Sequence, residues 1–193
     1  MDSKQFESKV KELIDDLKSV CATYGLGNDG NEFKIITQVF LYKFLNDKFA
    51  HEVKQIEPEL AKDKDWQTTL GNYNTDDYQM LLMQVNEGTA MLQPKHFITS
   101  LFHKQDEADF AKLFDDTLLD IATINTDIFS VKEDGGAKVV LFNRISEFVT
   151  VSKRDAFCKA IVNKLINFSF ERIFSEKYDF YATIFEYLIS DYN

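Results

Sequence analysis

The sequence predicts a mainly α fold: a multi-helix bundle around one buried helix at about residues 31–51, with a small β-hairpin near 128–142. Three observations carry this reading. First, residues 31–51 are apolar most of the way round a 3.6-residue period. Phe33, Ile36, Phe40 and Phe44 lie on one face, and Ile35, Val39, Tyr42, Leu45 and Phe49 on the next. Only Lys34, Thr37, Gln38 and Lys48 form a polar strip, and a helix of this kind is buried rather than amphipathic. Second, apolar residues recur at three- and four-residue steps through most of the remaining chain. Third, the pattern changes to short β-rich runs at 128–131 and 138–142. KEDGGA separates them, which places Gly135 and Gly136 in a hairpin turn.

Taken in order, residues 3–24 form a first helix with Phe6, Val10, Leu13, Ile14, Leu17, Val20 and Tyr24 inward. Gly25, Gly27 and Gly30 then punctuate a turn. After His51 the chain becomes polar and Pro58 breaks any continuous helix, so residues 52–75 read as a charged surface stretch. Thr75 or Asp76 caps a helix running to about Glu87. Pro94 opens another, PKHFITSLFHK. Residues 106–122 are amphipathic through Phe110, Leu113, Phe114, Leu118 and Ile121. Ser152 with Asp155 resembles a capping box and opens a helix through Phe157, Ile161, Leu165 and Phe168. A final helix at about 178–192 carries Tyr181, Ile184, Phe185, Leu188 and Tyr192 on one face. It stops without a glycine cap or polar tail, as at a cut inside a longer protein.

The chain has 193 residues, enough for one sizeable core and few for two. It therefore reads as a single domain, 1–193, whose weakest seam is 52–75. Eighteen Phe and eight Tyr call for a large packed interior or an aromatic face that meets a partner. With 32 acidic and 22 basic residues the net charge is -10, so the domain as a whole does not attract phosphate backbones. Cys21 and Cys158 have neither disulfide nor metal-ligand spacing, which favours a reducing cytoplasm. The N-terminus lacks the apolar core of a signal peptide, and charge interrupts every segment long enough to span a bilayer. No membrane role is expected.

The motifs are weak. Gly25-Leu26-Gly27-Asn28-Asp29-Gly30 spells G-x-G-x-x-G, but a helix precedes it where a dinucleotide site needs a strand. It reads as a helix-to-helix turn. His51, His96 and His103 include no pair at metal-ligand spacing and read as surface or partly buried. Asp115-Asp116 and Asp76-Asp77 are adjacent, and adjacent residues on a helix do not face each other. No catalytic residue, cofactor site or metal site is assigned. Basic residues gather only at Lys153, Arg154, Lys159 and Lys164, with Arg144 and Arg172 nearby. They form a candidate phosphate contact set against a solvated face. The aromatic run 168–187 reads as core, or alternatively as a docking face.

Two segments carry a resemblance. Gln38-Val39-Phe40-Leu41-Tyr42-Lys43-Phe44-Leu45-Asn46-Asp47, and Tyr178-Asp179-Phe180 through Phe185-Glu186-Tyr187-Leu188-Ile189, resemble the N-terminal helical domain of the modification subunit of type I restriction–modification N6-adenine DNA methyltransferases. The Leu141-Phe142 step followed by Lys153-Arg154 fits the same order. In that family the catalytic domain binds S-adenosylmethionine at a glycine-rich strand-to-helix loop and holds adenine at an Asn-Pro-Pro-aromatic motif. This chain has only Pro58 and Pro94, so no such motif exists in it. A base must be flipped into a pocket to be methylated. The resemblance therefore implies an assembly domain upstream of catalysis, without a cofactor of its own, with S-adenosylmethionine serving the parent protein. It implies contact with the specificity subunit and a second modification subunit, and with DNA through the complex. On that reading Lys43, Arg144, Lys153, Arg154 and Lys159 are the DNA or partner contacts, and Tyr181, Phe185, Tyr187 and Tyr192 the interdomain face. The alternatives are a stand-alone helical interaction or regulatory module, and a small helical enzyme with a site built from scattered residues.

Overall fold

The first helix, α1 (Ser3–Thr23), turns Val10, Leu13, Ile14, Leu17 and Cys21 into the interior, as its apolar steps require. The computed structural model describes residues 3–126, 131–132, 138–139 and 142–174, and these are mostly helical. After the glycine turn comes α2 (Gly30–Ile56), followed by α3 (Pro58–Lys62), α4 (Trp66–Gly71) and α5 (Thr75–Leu82). Then come α6 (Ile98–His103), α7 (Phe110–Ile124) and α8 (Arg154–Leu165), with 3₁₀ turns at Pro94–His96, Ile145–Phe148, Val151–Lys153 and Glu171–Ile173.

Helix α2 buries Ile35, Ile36, Val39, Phe40, Tyr42, Phe44, Leu45, Phe49 and Val53. Each such side chain contributes roughly 1.5–3 kcal/mol on leaving water. Two expectations about this helix are corrected. It continues past His51 because Val53 is also buried, and it ends where Pro58 takes the first turn of α3. Gln38, assigned to the polar strip, is buried.

Around it, α8 packs on α1, α6 and α7 through Phe157, Cys158, Ile161, Val162 and Leu165. Phe170 closes this core from the chain beyond α8, edge-on to Phe6 and against Phe40 and Phe168. Phe168 itself lies beyond the end of α8, not within it.

Several other boundaries differ from the sequence reading. Residues 52–75 are not simply a charged surface: α3 and α4 bury Leu60, Trp66 and Leu70. The cap of α5 is Asn74, which accepts the Asp77 N–H, and the helix ends at Leu82 rather than near Glu87. Pro94 opens a 3₁₀ turn, and α6 starts anew after Phe97. Helix α7 begins after Asp109, whose φ of 59° bars continuation of the preceding turn. In the expected hairpin region, Val131 pairs with Val139 and Lys132 with Lys138 in antiparallel register. The rest of 128–141 lies outside the described residues, as does the helix expected at 178–192 with Tyr181, Phe185, Tyr187 and Tyr192. Among the described residues no helix is long and apolar enough to cross a membrane.

Candidate functional site

Two polar constellations stand out, one inside the bundle and one on its surface. The inner one is a row on α2. Gln38, Tyr42 and Asn46 follow at four-residue steps and so share a face. Gln38 Oε1 accepts the backbone N–H of Asn143 at 2.7 Å. The Tyr42 hydroxyl donates to the His96 carbonyl at 2.5 Å, and Asn46 Oδ1 accepts the Ile98 N–H at 3.0 Å. Beside them Asp47 accepts the Phe170 N–H at 2.7 Å and pairs with Lys43 Nζ at 3.0 Å. Buried backbone groups need partners, and α2 supplies them to three connectors remote in sequence. Burial pushes the Asp47 carboxyl above the ordinary carboxylate range, opposed by Lys43, the Phe170 N–H and Asn46.

This corrects the role expected of Lys43. Its side chain is 6% exposed and held by Asp47 inside the fold, so it presents no surface to DNA or a partner.

The outer constellation lies along α7. Asp115 and Asp116 diverge, as neighbours on a helix must. Asp115 turns inward and accepts the N–H and the hydroxyl of Ser146, at 3.2 and 2.5 Å. Asp116 turns outward to Lys112 and to Arg144 at 2.7 Å. One turn on, Asp120 meets Lys95 Nζ at 2.6 Å and His96 Nε2 at 2.7 Å. These outer groups border a cleft of about 470 Å³ with Lys104 and Leu101 on its walls. Burial lifts the Asp115 carboxyl above its ordinary range. Hydrogen bonds lower Asp116, chiefly from Lys112, and Asp120, chiefly from Lys95 followed by His96.

His96 and Asp120 escaped the sequence reading. His96 is 1% exposed, where a surface or half-buried position was expected. Its Nδ1 accepts the Gln93 N–H at 2.9 Å. The local signal was Gln93-Pro94 three residues ahead, a turn that folds its peptide back onto the ring.

The predicted basic set gathers in part: Arg144 and Arg154 line one cleft of about 440 Å³, while Lys159 and Lys164 are paired elsewhere. Arg144 faces Asp116 on the α7 cleft. Lys159 pairs with Asp106, and Lys164 with Asp16 at 3.3 Å. Arg154 donates from Nε to the Val149 carbonyl at 3.0 Å, and Lys153 is exposed beside it. Nor do Ser152 and Asp155 form a capping box. A 3₁₀ turn occupies 151–153, and Asp155 instead accepts the Ala111 N–H at 2.8 Å, in the first turn of α7.

The glycine turn is closed by groups of its own chain. It joins α1 to α2, and Leu26 at its centre is buried. Two N–H groups of the turn are held by carboxylates. Asp29 accepts from Asn31 at 2.8 Å, and Glu32 from Asn28 at 3.1 Å. Two carboxylates at a helix N-terminus offset the partial positive charge that would attract an anion. Among the described residues no three His, Cys, Asp or Glu side chains gather to hold a metal.

Comparison with protein-family models, with curated proteins and with solved structures gives no match.

Proposed function

We propose that the chain is a non-catalytic helical assembly domain, of the kind found at the N-terminus of type I adenine methyltransferase modification subunits. Its role on this reading is to bring the specificity subunit and a second modification subunit together, with DNA held through the complex. The observation that carries it is the fate of the α2 polar residues. Gln38, Lys43, Asn46 and Asp47, in the segment that bears the resemblance, are all committed to holding connectors or to each other. That is the chemistry of a scaffold, with α2 as its organising helix. S-adenosylmethionine belongs to the parent protein in this reading, and no step is assigned to this chain.

The alternative, a stand-alone interaction module, draws on the exposed Met80, in the last turn of α5, and Met83, its C-cap. Spaced three apart, they share one helix face, and methionine adapts readily to varied partner surfaces. Co-expression of the full-length gene with its genomic neighbours, followed by affinity purification, separates the two. Recovery of a second protein together with adenine-methylated host DNA supports the assembly reading. A chain that purifies with a partner in cells lacking any such methylation favours the module.

A further inference from the structure

The connector between α5 and α6 is closed by an imidazole that works only when neutral. The Gln93 N–H can only donate, so His96 Nδ1, 2.9 Å away, is an unprotonated acceptor. The Asp120 carboxylate can only accept, so Nε2, 2.7 Å away, carries the proton. Both nitrogens are therefore assigned, and the tautomer follows from the partners. The same connector makes two bonds to α2, from the Tyr42 hydroxyl to the His96 carbonyl and from the Ile98 N–H to Asn46.

We propose that residues 93–98 form an acid-released clasp on α2, opened when His96 takes a proton at Nδ1. A proton there would set two N–H donors against each other across 2.9 Å, at a ring that is 1% exposed. The bond to Gln93 must break, and the Tyr42 and Asn46 bonds lose the turn that presents their partners.

The charged groups around the ring act in both directions. Asp120 from α7 favours the imidazolium, Lys95 opposes it, and Asp116, Lys104 and Arg144 border the same cleft. Burial outweighs Asp120, so the ring titrates below its ordinary 6.5 in the closed state. The open connector then binds the proton more readily than the closed one. Opening is favoured as pH falls below 6.5, by up to about tenfold per pH unit for one proton.

Hydrogen exchange on the whole chain tests this, read by mass spectrometry at pH 7.0 and 5.5 and corrected for the intrinsic pH dependence. Protection across 93–98 should fall by up to about tenfold between the two, while that of 157–165 holds. His96→Asn, whose carbonyl oxygen can replace Nδ1 as acceptor but cannot titrate, should abolish the change. Asp120→Asn lowers the proton affinity of the closed ring alone, so it should leave the onset near 6.5 and carry the loss of protection further into acid. Equal protection at both values overturns the proposal, as does loss spread evenly over the chain or retained in His96→Asn. Should His96→Asn not fold, ¹⁵N NMR of the imidazole in the unmodified protein decides. A ring protonated on Nδ1 at pH 7 overturns the proposal, and an Nε2–H ring that gains its second proton below 6.5 upholds it.

Discussion

The Asp47 carboxylate accepts the backbone N–H of Phe170 at 2.7 Å, across 123 residues of chain, while its other oxygen meets Lys43. One side chain thus fixes where the chain after α8 returns to α2. Asp47→Ala would orphan a buried N–H and strip Lys43 of its counter-charge, a loss of about 3–5 kcal/mol by analogy with other broken buried pairs. The double variant Lys43→Met with Asp47→Asn keeps an acceptor for Phe170 and removes the charge. It should cost less than Asp47→Ala alone. Urea unfolding of the three proteins measures this, and a double variant that is the least stable would reverse the assignment.

Asp155 offers a second, smaller test. It holds the Ala111 N–H in the first turn of α7, although a local pattern would pair it with Ser152. Asp155→Ala should therefore cost about 0.5–2 kcal/mol, as for other lost caps. Ser152→Ala should stay within about 0.5 kcal/mol, as at an ordinary surface site. The opposite order would restore the capping box.

These two residues show what the sequence can carry. The apolar faces of α1 and α7, the burial of residues 31–51 and the helix-to-helix glycine turn are legible because periodicity is local. The polar residues of α2 are not. Gln38 looks like part of a solvated strip, and nothing local marks Asn46 and Asp47 as buried, until Asn143, Ile98 and Phe170 arrive from far along the chain and donate their N–H groups. Leu60, Trp66 and Leu70 were missed for another reason: α3 and α4 are too short to show a period. The resemblance names Lys43 as a contact, and no local pattern announces the buried Asp47 that pairs with it.

The glycine turn predicts opposite effects at its two ends. Gly25 has φ +82°, so Gly25→Ala should destabilise by about 1–2 kcal/mol. Gly30 starts α2 with open space around it, so Gly30→Ala should stabilise by about 0.4–1 kcal/mol. Thermal unfolding of both variants measures the pair. A phosphate cradle would have no reason to tolerate a side chain at its final glycine, and a destabilised Gly30→Ala would reopen that reading.

Acid should act on the α7 carboxylates in a known direction. Asp116 and Asp120 titrate below their ordinary 3.8 because lysines, Arg144 and His96 surround them. Their contribution is present above 3.8 and is lost as pH falls through the folded values. The double variant Asp116→Asn with Asp120→Asn should flatten the decline of stability between pH 4 and 2.5, measured by urea unfolding at each pH. An unchanged slope would assign the decline to other groups.

The two thiols report on the whole fold. Cys21 lies on α1 and Cys158 on α8, both fully buried and free. Burial, with Glu32 nearby, pushes the Cys21 thiol up to about 12, and burial also raises Cys158 well above its ordinary value. Only the thiolate attacks an alkylating agent, so at pH 8 neither sulfur is reactive while the helices are packed. Labelling by iodoacetamide must then wait for unfolding, and both sites should react at one common rate. Because Asp47→Ala weakens the closure of the Phe170 segment over the core, it should accelerate both sites together, by the factor that its loss of stability dictates. Cys21 reacting ahead of Cys158 would show that α1 detaches by itself and that the bundle does not open as one unit.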